Sequence, residues 1–323
     1  MLAGLDWTWF AAALLGGVLL DALLGEVRRL HPLVGFGHLA SAIEARLNRP
    51  GATASGAARF ARGLLAWLLA VLPLAALAAW LCAQPLPAPA LAALHAVLLY
   101  FCLGLRSLRD HMLPIWHALH AGDLAQARAL TARIVSRDTQ QASASDLAKA
   151  ATESMLENGN DAVFGTLFWF AVAGGPGAVL FRLANTLDAM WGYRNERFNL
   201  FGRSAARLDD ALNYLPARLT ALSYALLAPG AHGTRRALAC WRRQAPAWSS
   251  PNAGPVMSSG AGALGLQLGG AASYGGAIEQ RPPLGEGSAA AAADIPRAWR
   301  LVRHTSWLWL AALLAIAYGV QHA

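Results

Sequence analysis

Apolar residues run in long blocks along this chain, and the polar ones gather in a few dense stretches between them. A helix needs about 20 mostly apolar residues to cross a hydrocarbon core. Stretches 7–24, 64–82 and 91–108 meet or approach that length, and 307–320 is a shorter fourth. With 14 residues, the fourth predicts a span that is tilted, interfacial or completed by its flanks. A fifth run, 162–183, is interrupted by Gly174-Gly-Pro-Gly177. Irregular backbone at membrane depth is tolerated when protein surrounds it, so this run predicts a broken or re-entrant pair of half-helices.

The first run does not read as a cleaved leader. Asp6 precedes it, no small-residue cleavage motif follows, and Arg28-Arg29 come directly after. The expectation is an uncleaved anchor whose Asp21, near the helix end, is reached by interfacial water. Basic residues mark cytoplasmic loops. Segment 25–62 carries six arginines, 83–90 carries no charge, and 106–160 carries six bases. Segments 25–62 and 106–160 are thereby assigned to the cytoplasm, with the Pro-rich turn outside. Segment 182–218 has six more arginines, and a re-entrant 162–183 returns it to the cytoplasmic side.

Composition agrees with a lipid-embedded chain. Of 323 residues 56% are apolar and 14% charged, against roughly 25% charged in a soluble domain, and mean hydropathy is +0.38. This disfavours disorder and a soluble enzyme. The formal net charge is +8, and Lys149 is the one lysine among 26 bases. Arginine suits bidentate grips on phosphate and carboxylate, and it is also ordinary loop charge. Cys82, Cys102 and Cys240 are scattered and suggest neither a disulfide framework nor zinc. The predicted fold is an all-α polytopic integral membrane protein with amphipathic cytoplasmic-side helices, one domain over 1–323. Its Pro-, Gly- and Ser-rich stretch 228–305 is predicted as a long irregular segment packed on the helical body.

The polar blocks carry the candidate chemistry. The first is Asp21…Glu26…His31-Pro32, for which interfacial anchoring is a sufficient reading. The second runs from Ser136-Arg-Asp-Thr139 to Asp161. There Ser143 or Ser145 can cap a helix and Gly159 can end it. Glu153 and Glu157 share a helical face, and Asp161 extends it if the helix continues. Like charges so spaced repel, and Mg²⁺, which binds through one or two carboxylates plus substrate phosphates, would offset them. A solvated acidic face explains the spacing equally well. The third block holds Asn185, Asp188, Arg194, Arg197, Asp209 and Asp210 among Trp191, Tyr193 and Phe198. That lining suits a phosphate-bearing substrate, and Arg–Asp pairs holding helices at the membrane surface are the plainer alternative. The fourth is Ser249-Ser-Pro-Asn-Ala-Gly254 followed by Gly260-Ala-Gly-Ala-Leu-Gly265. The glycine string lacks the preceding strand of a dinucleotide fingerprint, and the lone lysine excludes a P-loop. His111, His117 and His120 read as an interfacial helix before a metal site.

Taken in order, these blocks resemble the adenosylcobinamide-phosphate synthases of cobalamin biosynthesis (the CobD/CbiB type). The matching residues are Asp21…Gly25-Glu26…His31-Pro32, Ser136-Arg-Asp-Thr139, Glu153-Ser…Glu157-Asn158…Asp161 and Leu167-Phe-Trp169. They continue through Asn185-Thr-Leu-Asp188…Gly192-Tyr-Arg-Asn-Glu-Arg-Phe198, Ala206-Arg-Leu-Asp-Asp210…Pro216-Ala-Arg-Leu-Thr220, Ser250-Pro-Asn-Ala-Gly254 and Gly262-Ala-Leu-Gly265. Val27, Gly165-Thr166 and Pro255 depart from the usual pattern without removing a carboxylate or an arginine.

The resemblance implies an inner-membrane ligase with a cytoplasmic active face. It would join aminopropanol, free or as its O-phosphate, to a propionate carboxylate of adenosylcobyric acid, driven by ATP and Mg²⁺. No tightly bound cofactor and no nucleic acid are implied; the partners are the corrinoid, the amine, membrane lipid and other corrinoid-pathway enzymes. On this resemblance Glu153, Glu157, Asp161, Asp188, Asp209 and Asp210 form the pool of Mg²⁺ ligands and bases. Arg137, Arg194 and Arg197 grip phosphates, with Asp138 and Thr139 beside the first. Asn158, Asn185 and Asn252 orient substrate. The rival readings are an intramembrane Mg²⁺-dependent prenyltransferase, whose Asn/Asp motifs Asn185…Asp188 and Asp209-Asp210 mimic, and a non-enzymatic transporter or scaffold.

Overall fold

A computed structural model describes residues 5–27, 31–49 and 55–322. Arg28 and Arg29, the expected basic flank of the first span, lie outside the described residues. Twelve α-helices occupy the described residues: α1 Trp7–Leu24, α2 Pro32–Leu47, α3 Gly56–Cys82, α4 Ala88–Cys102, α5 Leu105–His120, α6 Leu124–Thr131, α7 Ala144–Gly159, α8 Gly165–Trp191, α9 Arg203–Leu226, α10 Gly230–Gln244, α11 Ala253–Leu264 and α12 Asp294–His322. Three strands complete the inventory: β1 Leu266–Tyr274, β2 Ala277–Leu284 and β3 Ser288–Ala289. Among the described residues, five helical stretches are long and apolar enough to cross a membrane: Trp7–Leu24, Gly56–Cys82, Ala88–His120, Ala144–Trp191 and Asp294–Val320. The protein is an all-α polytopic membrane protein. The last span is no 14-residue fragment, because α12 extends it on its polar side to 29 residues.

The chain divides into two compact units, where the sequence suggested one domain. The first comprises Met1–Gly104, Gly165–Asn213 and Leu313–Ala323, and the second Leu105–Phe164 and Tyr214–Ala312.

In the first unit α1 lies against α4, with Gly17 so close that an added Cβ would stand 2.7 Å from Leu99. Small residues at such contacts let membrane helices approach by van der Waals packing. The core beside them joins Phe36 and Ala40 of α2, Trp67 and Val71 of α3, Leu187 and Trp191 of α8, and Ala205 of α9. Asp21 is 3% exposed, so the expectation that interfacial water reaches it fails; helix packing closes over a position that sequence places at a helix end.

Helix α8 confirms the predicted break. Ala173 (φ −138°) and Gly174 (φ 63°, ψ −151°) leave helical geometry, and only glycine enters the second conformation without strain. A straight helix would carry Gly177 about 12 Å beyond Trp169. Instead a Cβ on Gly177 would stand 2.2 Å from the Trp169 carbonyl oxygen, and one on Gly165 the same distance from the Phe181 ring. Both pairs are symmetric about residue 173, so α8 is a helical hairpin with limbs 165–172 and 175–191. His95 of α4 seats the turn by accepting a hydrogen bond from the Gly175 N–H at 2.8 Å through Nδ1.

In the second unit α7 begins with the expected Ser143 cap, completed as a capping box by Asp146. It ends at Gly159 and passes into a π-helix over Asn160–Phe164. The helical path therefore continues past Gly159, the condition under which Asp161 follows Glu153 and Glu157, and five-residue turns shift the register beyond it.

Segment 228–305, predicted irregular, is largely regular. It contains α10, the almost wholly buried α11, the sheet and the start of α12. The glycine string is the end of α11: Gly260 faces Leu156 and Tyr224, Gly262 faces Ala237, and Gly265 is a left-handed C-cap (φ 69°). These glycines permit helix packing, which is why the dinucleotide reading fails. Strands β1 and β2 pair antiparallel from Leu268↔Leu284 to Tyr274↔Ala277, around a Gly275-Gly276 turn with both φ positive. A bulge falls at Gly269-Gly270, and β3 pairs parallel to β1.

Candidate functional site

The second unit gathers one group of predicted residues. Glu153, in the middle of α7, is 2% exposed. Its Oε2 accepts from Arg137 Nη2 at 2.5 Å and from Arg281 Nη1 at 2.9 Å, and its Oε1 accepts from the Gly269 N–H at 2.7 Å. The bulge matters here, because it turns a ladder N–H out of the strand pairing and onto a carboxylate. Arg281 also donates through Nε to the Gly270 carbonyl and lies 5.8 Å over the Trp248 ring. Burial works against the Arg281 charge, and Glu153 more than offsets it, holding the guanidinium above its ordinary range. Glu153 was expected as a metal ligand or base; with both oxygens held by arginines and backbone it is placed as a counter-ion.

A 440 Å³ cleft opens beside this trio. Its wall joins Ser136 and Arg137, then Glu153, Glu157 and Asn158, then Trp248 and Ser250, then Tyr274, Glu279 and Arg281. Two guanidiniums and two further carboxylates make the lining bipolar. Asn158 donates its amide to the Ser154 carbonyl and hydroxyl, at 2.9 and 3.0 Å.

The neighbours of Arg137 have structural work. Asp138 accepts from the Gly276 N–H at 2.7 Å and the Ser273 hydroxyl at 3.0 Å, tying its loop to the tip of the β1–β2 hairpin. The Gly276 N–H, more than any other group, holds this exposed carboxyl below its usual range. Thr139 donates to the Arg128 carbonyl at 3.1 Å. With Arg137 and Lys149 both residues line a second, 720 Å³ cleft of this unit. Asn252 accepts from Arg218 at 2.7 Å, and Asp161 accepts from Asn160 at 3.0 Å.

The first unit holds the other group. Asn185 on the second limb of α8 donates to Asp209 of α9 at 3.4 Å, and Asp209 is 6% exposed. Asp188, one turn beyond Asn185, sits so close to the chain that a Cβ on Gly192 would be 2.1 Å from its Oδ1. Arg197 grips Glu44 at 2.6 and 3.1 Å, and its carbonyl accepts from Asn48 and Arg59. The hydrogen bond to Glu44 raises the Arg197 pKa above its ordinary value. The plainer alternative holds for Arg197: it anchors a loop to α2. Arg194 and Asp210 instead line a 410 Å³ cleft with Tyr193, Arg203 and Arg207.

Among the described residues no three histidine, cysteine, aspartate or glutamate side chains converge as a closed metal cage. Mg²⁺ does not require one, since it keeps waters and takes substrate phosphates as ligands. The single-carboxylate, amide-flanked pair Asn185–Asp209 with Asp188 nearby in sequence suits that mode.

Sequence reasoning missed Arg281, Glu44 and His95. The turn pair Gly275-Gly276 was the available signal for the hairpin that carries Arg281; Glu44 and His95 had none.

Apolar helices, a broken helical hairpin and arginine-lined clefts define a polytopic helical membrane protein. The chain belongs to the family described as CobD/Cbib protein, whose model matches residues 14–302. It is 57% identical over 302 residues to the cobalamin biosynthesis protein CobD of Stutzerimonas stutzeri, covering 94% of this chain and 96% of that protein. It is 54% identical over 311 residues to that of Chromobacterium violaceum (95% and 97%) and 39% identical over 299 residues to that of Mycobacterium tuberculosis (92% and 92%). No solved structure matches the chain.

Proposed function

We propose that this protein acts in cobalamin biosynthesis as an amide-forming ligase of the inner membrane, with its polar clefts facing the cytoplasm. It joins aminopropanol, free or as its O-phosphate, to a propionate carboxylate of adenosylcobyric acid. The observation that carries this reading is the bipolar lining of the 440 Å³ cleft, where Arg137 and Arg281 stand with Glu157 and Glu279. An amino alcohol phosphate is itself bipolar, with an ammonium at one end and a phosphate at the other. The guanidiniums suit the phosphate, and Glu157 with Asn158 suits the ammonium.

A carboxylate resists an amine until one oxygen becomes a leaving group. In this reading ATP phosphorylates the propionate, giving an acyl phosphate and ADP. The amine attacks the acyl carbon, inorganic phosphate leaves, and the nitrogen gives up a proton to a carboxylate such as Glu157. No protein nucleophile is needed. Mg²⁺ would neutralise phosphate charge, taking one or two carboxylates besides the phosphates. The chain's own share is positioning and electrostatic stabilisation, which carry most of phosphoryl transfer. Membrane lipid and other corrinoid-pathway enzymes are the proposed surroundings.

Purified protein incubated with adenosylcobyric acid, ATP–Mg²⁺ and either form of the amine should yield the amide by mass spectrometry. Absence of the amide with both amines would end the reading, and prenyl transfer or transport would be the alternatives to assay.

A further inference from the structure

Three arginines of the first unit crowd one cleft. Arg194, Arg203 and Arg207 line the 410 Å³ cleft, and none forms an ion pair with another described residue. Their neighbour Arg197 makes the contrast, since its charge is matched by Glu44. Arg203 and Arg207 are one turn apart on α9, a spacing at which like charges repel. Arg207 is held by its surroundings: its guanidinium lies 6.0 Å over the Phe60 ring, and it shares with Arg203 the adjoining groove lined by Phe60 and Leu200. Against these three charges the cleft wall offers one carboxylate, Asp210.

Such an excess calls for an anion of more than one charge. A water occupies about 30 Å³, so the cleft has room for several phosphoryl groups. A phospholipid headgroup phosphate brings a single charge; a polyphosphate brings several, and its Mg²⁺ takes one or two protein carboxylates, which matches the lone Asp210. Tyr193, 49% exposed, adds an aromatic ring to the same wall.

We propose that this cleft is the polyphosphate site for a nucleoside triphosphate, with Arg203 and Arg207 as its principal grips and Arg194 as the third. The assignment rests on the ATP-driven reading above; it adds Arg203, which lies outside the matching motifs, and gives Arg207 within them a role.

The test is direct binding. Full-length protein in uncharged detergent is dialysed against radiolabelled ATP or inorganic triphosphate, with and without Mg²⁺, and parallel samples in phosphatidylcholine and phosphatidylglycerol nanodiscs test for lipid competition. The expected result is that the wild type binds both probes, that Arg203→Gln and Arg207→Gln each weaken binding at least tenfold, and that Arg203→Lys weakens it less. Arg242→Gln, on α10, should bind as the wild type does. Unliganded thermal midpoints of the variants separate lost binding from lost fold. If the wild type binds ATP and both glutamine variants bind it equally well, the site assignment is wrong while the ligase reading stands. If the wild type binds neither probe, ATP as the driver falls with it. If phosphatidylglycerol alone occupies the cleft in an arginine-dependent way, the site is a lipid site and the proposal is overturned.

Discussion

Glu153 and Arg281 stand 128 residues apart in sequence and share two hydrogen bonds, 2.9 and 3.3 Å long. With Arg137 on the other side, the carboxylate fastens a β-hairpin and a loop to the buried helix α7. Breaking a buried pair by removing one partner costs about 3–5 kcal/mol, because the remaining charge is stranded. Glu153→Ala should therefore lower the thermal midpoint of the purified protein by many degrees, whereas the exposed Glu279→Ala should change it little. Thermal unfolding in detergent compares them. Equal midpoints for Glu153→Ala and the wild type would return Glu153 to the pool of reacting carboxylates.

The helical hairpin of α8 makes a different demand. Gly177 faces the Trp169 carbonyl at a distance no side chain fits, while Gly319 of α12 has nothing within 4 Å. Overpacking a close contact costs about 1–3 kcal/mol or more. Gly177→Ala should reduce the yield of monodisperse protein and its thermal midpoint, and Gly319→Ala should do neither. A Gly177→Ala protein as stable as the wild type would mean that the limbs do not fold back on each other.

Parts of this architecture were legible because lipid imposes contiguity. A span must be apolar throughout, so α1 could be read to its ends, and a Gly-Gly-Pro-Gly run inside an apolar stretch has few meanings other than a break. The rest depended on contacts between distant residues. Asp21 and Glu44 look like surface charges in sequence, yet each is 3% exposed because neighbouring helices close over it. The β1–β2 hairpin has no alternation to betray it; glycines, alanines and prolines fill it, and its register is held by Glu153 and Asp138 from elsewhere in the chain. Among the predicted site residues, Arg137, Glu153, Glu157 and Asn158 do line one cleft, but the motif alone could not show that Glu153 serves the arginines.

Acid should loosen the hairpin tip. The Asp138 carboxyl is held below its usual range by the Gly276 N–H first and the Ser273 hydroxyl second. A group with a depressed folded pKa contributes stability above its unfolded value, about 3.9 for aspartate, and loses it as pH falls through the folded value. Protection of the Gly276 amide against hydrogen exchange, corrected for the intrinsic rate, should be constant from pH 7 to about 5 and fall below about 4. Asp138→Asn should show low protection at every pH. A pH-independent protection factor identical in the two proteins would remove the tether.

The Arg197–Glu44 contact separates an anchoring role from a phosphate grip. Arg197 reaches across 153 residues of sequence to hold a buried carboxylate on α2 with two nitrogens. Arg197→Ala leaves Glu44 without that partner, so it should lower the thermal midpoint; loss of turnover should follow only from the loss of folded protein. Arg197→Lys should recover part of the midpoint, less than fully because an ammonium lacks the planar fork that matches both carboxylate oxygens. Glu44→Gln in the Arg197→Ala background should restore more, since it removes the stranded charge while keeping an acceptor for Asn48. Turnover per folded molecule is the deciding measurement. A rescued double variant that is stable and active confirms the anchor, and one that is stable yet inactive at saturating substrate makes Arg197 part of the reacting site after all.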